Sequence, residues 1–155
     1  FQKRLTGREN IVLSGMLLGF TEEQVRAKMD DIIEFSELGH FIEMPVRTYS
    51  SGMYSKLAFS ISAILETDIL LIDEVLSVGD VNFRQKSLNK MKELISDGNR
   101  TVLIVSHNNR TLLELCDRIL WVHEGKMKRI GDPRLVIKEY QNFMEEQNFS
   151  TKGNV

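Results

Sequence analysis

A chain of 155 residues, 42% hydrophobic and 27% charged, suits one domain or a large piece of one and is too apolar to be disordered. Its formal charge of −2 leaves no basic footprint, so nucleic acid is not the default partner, and the cluster Lys126, Lys128 and Arg129 reads as a solvated strand face. The longest apolar stretch, residues 57–65, is interrupted by Ser60 and Ser62 and is too short to span a bilayer, and no signal-peptide pattern opens the chain.

The chain starts on Phe1 rather than Met, which reads as a missing natural start. The single cysteine, Cys116, excludes an internal disulfide and fits a reducing compartment. Beside Leu112, Leu113 and Leu115 it reads as a core filler rather than a nucleophile.

Thr6-Gly7-Arg8-Glu9 has the form of a capping box, and Ile11, Val12, Met16 and Leu17 behind it predict a short helix ending near Gly19. Thr21-Glu22-Glu23-Gln24 repeats the box. Val25, Met29, Ile32, Ile33 and Ser36 follow at helical spacing, so residues 21–36 read as one amphipathic helix. Residues 39–45 form a connection in which His40 has no special duty.

Tyr49-Ser50-Ser51-Gly52-Met53 opens the next helix, with Met53, Leu57, Ile61, Ile64 and Leu65 on its apolar face. Unlike the two earlier starts it has no Glu or Gln to close a capping box. Its first backbone amides and its serine hydroxyls therefore stay available to an outside anion, although a serine before a helix is also an ordinary cap.

Ile69-Leu70-Leu71-Ile72 reads as a strand buried on both faces, as in a parallel sheet, and it ends in Asp73-Glu74. Adjacent strand residues point in opposite directions. At the carboxyl edge of an open α/β sheet Asp73 would suit a hydrated Mg²⁺ and Glu74 a water attacking a phosphate. Taken alone, the pattern equally suits two solvated acids before a turn.

Residues 83–97 predict a helix with Leu88, Met91, Leu94 and Ile95 inward, closed by Gly98. Residues 101–105 predict a second buried strand. Strand, helix, strand at this length is a parallel crossover, which brings Ser106-His107-Asn108 to the edge that carries Asp73, where a histidine can donate to a phosphate oxygen. His123 belongs instead to a hairpin turning at Glu124-Gly125. Asp132 caps and Pro133 starts a last helix to about residue 147, with Val136, Ile137, Tyr140, Phe143 and Met144 on one side and a frayed tail from Asn148.

An anion-ready helix start, a strand ending in Asp-Glu and a strand ending in Ser-His, in that order, together resemble the back two-thirds of an ATP-binding-cassette ATPase domain. Residues 49–53 match its signature segment, with Ser50 and Gly52 on the serine and second glycine. Residues 69–73 match the Walker B strand, Glu74 the catalytic glutamate, residues 77–80 the D-loop and His107 the switch histidine.

Tyr49-Ser50-Ser51-Gly52-Met53, Asp73 through Asp80, Leu115-Cys116-Asp117-Arg118 and Gly131-Asp132-Pro133 further resemble the subunits that export polysaccharides such as O-antigen and wall teichoic acid. The resemblance implies an α/β P-loop NTPase core with a parallel sheet and a helical subdomain. Residues 1–48 would form most of that subdomain, 49–132 the later part of the core, and 133–155 a C-terminal helix and tail.

It also implies ATP and Mg²⁺ as ligands, a head-to-tail homodimer, a separate transmembrane permease, and a peripheral place on the inner face of the cell membrane. Glu74 would act on water, Asp73 on Mg²⁺ through water, and His107 on the γ-phosphate. Ser50, Ser51 and Gly52 would cover the partner's nucleotide, with Asp80 at the interface.

The 155 residues hold no Gly-x-x-x-x-Gly-Lys-Ser/Thr: at the one Gly-Lys pair, Gly125-Lys126, Leu120 stands where the first glycine belongs and Met127 where the hydroxyl belongs. The expectation is an N-terminally truncated cassette, inactive alone. The competing readings are a soluble cassette ATPase of another branch and a non-catalytic cassette that only binds a partner.

Overall fold

The structure, a computed structural model, describes residues 1–65, 67–73, 79–96, 98 and 100–152, with side chains described to residue 147. It divides into two compact units, Phe1–Leu103 and Ile104–Val155.

In the first unit both expected capping boxes form. Thr6 Oγ1 accepts from the Glu9 N–H at 3.1 Å while the Glu9 carboxylate accepts from the Thr6 N–H at 2.8 Å, starting α1, Gly7–Leu17. Thr21 and Gln24 do the same for α2, Glu22–Ala27. The buried face of α1 is Gly7, Asn10, Ile11 and Gly15, so the expected apolar residues Met16 and Leu17 point outward instead, being 52% and 80% exposed. The small residue at Gly15 is what allows Val25 of α2 to lie against α1.

The single helix expected over residues 21–36 is two. Lys28 leaves helical geometry at φ −103, ψ 3, and α3 begins at once as Met29–Ser36. The halves serve different neighbours, α2 packing on α1 and α3 along α4, and one straight rod could not meet both. Two short 3₁₀ turns, Gly39–Glu43 and Val46–Thr48, lead to α4, Ser51–Ile64. Ile11, Val25, Met29, Ile32, Leu38, Ile42, Leu57, Ile61 and Leu65 form one buried core among these elements.

The strand β1, Ile69–Asp73, leads through α5, Val81–Ser96, to its hydrogen-bonded parallel neighbour β2, Thr101–Val105. The expected crossover is present. The expected burial of both strand faces is not: Leu70 and Ile72 are 8% and 6% exposed, whereas Ile69 and Leu71 are 63% and 71% exposed. Successive strand residues alternate faces, and α4 and α5 supply Phe59, Ala63 and Met91 to a cleft lined by Leu70, Leu71 and Ile72. β2 likewise exposes Leu103 and Val105 and is not the buried strand expected. The buried stripe of α5 is Phe83, Ser87, Met91 and Leu94, with Leu88 and Ile95 only half-buried.

In the second unit, α6, Asn109–Leu115, precedes a hairpin of β3, Ile119–His123, and β4, Lys126–Gly131. Glu124 and Gly125 turn it with φ of +50 and +71, the paired positive values of a two-residue hairpin loop. Asp132 Oδ1 accepts from the Arg134 and Leu135 N–H groups and starts α7, Pro133–Lys152, as expected. α7 buries Val136 and Ile137 and sets Tyr140 and Phe143 against Trp121. It continues to Lys152, past the frayed tail expected from Asn148, because no glycine or proline interrupts it before Gly153.

Candidate functional site

Ser50 has an extended backbone, φ −67 and ψ 163, and its Oγ accepts from the Met53 N–H at 3.2 Å. A hydroxyl that accepts in this way keeps its own proton to donate. Met53 cannot return a side-chain oxygen to the Ser50 N–H, and the Ser51 and Gly52 N–H groups find no acceptor among the described residues. Among the described residues, a Cβ at Gly52 would meet only Ser50 Oγ, at 3.8 Å. The start of α4 therefore offers amide donors, a hydroxyl and the positive end of the helix dipole over open space.

Asp73 ends β1 with its side chain exposed. Among the described residues no three His, Cys, Asp or Glu side chains gather to hold a metal. A lone carboxylate fits Mg²⁺, which takes one or two and completes its shell with water and phosphate oxygens. Glu74, together with Ser77 and Val78 of the expected D-loop, lies outside the described residues.

The chain resumes at Gly79, whose φ is +78; a Cβ there would come within 3.1 Å of Phe83 Cδ1 and 3.2 Å of Lys56 Cε. Asp80 follows and caps α5, its Oδ1 accepting from the Phe83 N–H at 3.0 Å. Its Oδ2 accepts from Lys56 Nζ at 2.8 Å. The Lys56 ammonium, and next the Phe83 amide, pull the Asp80 carboxyl down from 3.8 to about 2. Burial lowers the Lys56 pKa, but hydrogen bonds to Asp80 and Glu37 outweigh it and the net direction is up.

His107 stands exposed in the second unit, between Ser106 and Asn108. The Asn108 N–H donates to Ser106 Oγ at 3.0 Å, and Asn108 Oδ1 caps α6 by accepting from Arg110 and Thr111. Cys116 is half-buried, and burial pushes its thiol pKa up, as suits a filler.

Lys56 therefore joins α4, whose start carries Ser50, Ser51 and Gly52, to Asp80, and sequence reasoning passed over it. It sits four residues after Gly52, but nothing local marks a lysine on a helix as the partner of an aspartate 24 residues away.

No protein-family model matches the chain. It is 52% identical over 144 residues to a teichoic acids export ATP-binding protein of Lactococcus lactis, covering 93% of this chain and 31% of that protein. It is 48% identical over 141 residues to an O-antigen export system ATP-binding protein of Myxococcus xanthus, covering 91% of this chain and 32% of that protein. The chain's homologues are teichoic acid and O-antigen export ATP-binding proteins.

A teichoic acids export ATP-binding protein of Staphylococcus haemolyticus is 45% identical over 97% of this chain and 57% of its own length. The chain thus spans from about a third to somewhat over half of the curated relatives it matches. Among solved structures, an ATP-binding subunit of an ABC transporter aligns with a TM-score of 0.78 at 21% identity, over 91% of this chain and 58% of that one. A dimeric ATP-binding cassette in a post-hydrolysis state, bound to ADP and Pi, aligns with a TM-score of 0.67 at 21% identity, over 86% of this chain and 61% of that one. The fold is that of an ABC ATPase domain.

Proposed function

We propose that the full-length gene product is the ATP-binding and ATP-hydrolysing subunit of a transporter that exports a cell-surface polysaccharide of the teichoic acid or O-antigen class. The observation that carries this reading is the identity of 45–52% to named export ATP-binding proteins across more than nine-tenths of the chain. The open start of α4 and the exposed carboxylate ending β1 support it as chemistry suited to a phosphate and a hydrated cation.

In this reading Ser50, Ser51 and Gly52 donate hydrogen bonds to the phosphates of a nucleotide held by the other subunit of a homodimer. Asp80 stands at that interface. Asp73 would hold Mg²⁺ through water, and the ion, when bound, neutralises phosphate charge. Glu74 orients and polarises the attacking water, and His107 donates to the γ-phosphate. Closure on ATP and opening after hydrolysis would drive a transmembrane permease on which this subunit sits at the inner face of the membrane. No described helix is long and apolar enough to cross a membrane.

The test is ATP turnover by the full-length protein assembled with its permease. Glu74→Gln should lower kcat by roughly 10²-fold or more while ATP still binds. Turnover at the parent rate in that variant removes Glu74 from the mechanism.

A further inference from the structure

Four charged side chains from three elements meet beside α4. Lys56 Nζ donates to Asp80 Oδ2 at 2.8 Å and to Glu37 Oε2 at 3.3 Å. Lys86 Nζ donates to Glu37 Oε1 at 3.0 Å and to the Phe35 carbonyl oxygen at 3.0 Å. Each lysine also lies over an aromatic ring, Lys56 at 4.8 Å from the Phe83 centroid and Lys86 at 4.6 Å from that of Phe35. Phe35 of α3, Phe59 of α4 and Phe83 of α5 pack together, with centroids 6.0, 5.9 and 6.1 Å apart.

An exposed ion pair is weak because two long side chains must be ordered to form it. Lys56 differs from that case. Its side chain is only 15% exposed, held between two carboxylates above a buried ring, so its position is already fixed by packing. Glu37 holds its end as the left-handed C-cap of α3, φ +56, where the helix stops and the side chain turns to both lysines. Gly79 brings the backbone against Lys56 Cε and Phe83 in the same place. Asp80 nevertheless keeps 60% of its side chain exposed, so the clasp fixes it and leaves it open to approach from outside.

We propose that Lys56 is a positioning residue: it locks Asp80 and the turn that opens α5 onto the helix whose start carries Ser50 and Gly52, so that these groups meet an ATP-bound partner as one body. The proposal rests on the functional reading above. Glu37 and Lys86 extend the lock to the end of α3, so the helices before residue 48 are tied to the same body.

The test uses the full-length protein with its permease and the variants Lys56→Met, Lys56→Arg, Asp80→Asn and the Lys56→Met/Asp80→Asn pair. Lys56→Met should lower kcat by about 10- to 100-fold with KM for ATP within about twofold, since misplacement costs rate more than binding. Lys56→Arg should recover most of the loss. The double variant should lose clearly less than the product of the two single losses, because both changes break the Lys56–Asp80 contact. Hydrogen exchange at residues 79–86 should quicken in Lys56→Met while exchange in α1 and α2 stays as in the parent.

Parent turnover in Lys56→Met, multiplying losses in the double variant, or quickened exchange throughout the first unit would each overturn the proposal. If the parent assembly hydrolyses no ATP, the functional reading falls by itself. Exchange then decides the lock alone: quickening confined to residues 79–86 upholds it, and unchanged exchange there overturns it.

Discussion

The γ-methyls of Val25 in α2 occupy the space that a side chain on Gly15 of α1 would need. Both residues are buried, and Val25 belongs to the core cluster with Ile11 and Met29. Gly15→Ala should therefore destabilise the protein by about 1–3 kcal/mol, as overpacking does, although alanine is the better helix former by about 1 kcal/mol. Adding Val25→Ala should recover part of the loss. Urea unfolding of the two single variants and the pair measures this, and a Gly15→Ala protein as stable as the parent would contradict the packing.

Asn10 is fully buried and fastens the first residues to α1. Its Oδ1 accepts from the Gln2 N–H at 2.7 Å, and its Nδ2 donates to the Gln2, Leu5 and Thr6 carbonyls at 3.0, 3.2 and 2.8 Å. Asn10→Leu should cost roughly 2–4 kcal/mol, since it leaves several partners unsatisfied at once. Asn10→Asp should be no better: it keeps the acceptor, loses the donors and places a charge beside three carbonyl oxygens. Unfolding midpoints and hydrogen exchange over residues 1–6 check both.

Asp80 has its carboxyl drawn down from 3.8 to about 2 by Lys56 and the Phe83 amide, and Glu37 is lowered by Lys86 and, after burial opposes it, by Lys56. A depressed carboxyl contributes stability that is present above its ordinary pKa and disappears as pH falls through the folded one. The Asp80 share of stability should therefore be intact at pH 5 and be lost between about pH 4 and pH 2. Lys56→Met should flatten that part of the acid limb in urea midpoints taken across this range. An acid limb identical in parent and variant would separate Asp80 from Lys56.

How far these features were legible depended on how local their causes are. The boxes at Thr6 and Thr21, the cap at Asp132 and the turn at Glu124-Gly125 each rest on residues within four positions of one another, and each formed as expected. The break at Lys28 and the exposed faces of β1 and β2 were not legible. An apolar period says which side of an element can be buried, while the neighbouring elements decide where it must bend and which side is covered. The same holds at the candidate site. Ser50 reads directly as an unboxed helix start, but Lys56 and Glu37 acquire meaning only when residues 19 and 24 positions apart meet.

The 155-residue chain by itself should not bind Mg-ATP at micromolar concentrations, because a Gly-Lys-Ser/Thr loop of amides and a lysine normally supplies most of the hold on the β- and γ-phosphates and these residues contain none. Calorimetry on the isolated chain decides this, and micromolar binding would show that these 155 residues carry a nucleotide site of their own.

The most direct test of the ATP-driven dimer is the mass of the full-length Glu74→Gln protein in solution, measured by light scattering with Mg-ATP and with Mg-ADP. An ATP-closed dimer requires a doubling of mass with ATP alone, reduced by Ser50→Arg, which places a bulky cation at the start of α4 where the partner's nucleotide would lie. A mass that stays the same with ATP and ADP would contradict a site shared between two copies, and with it the roles given to Ser50, Gly52 and Asp80.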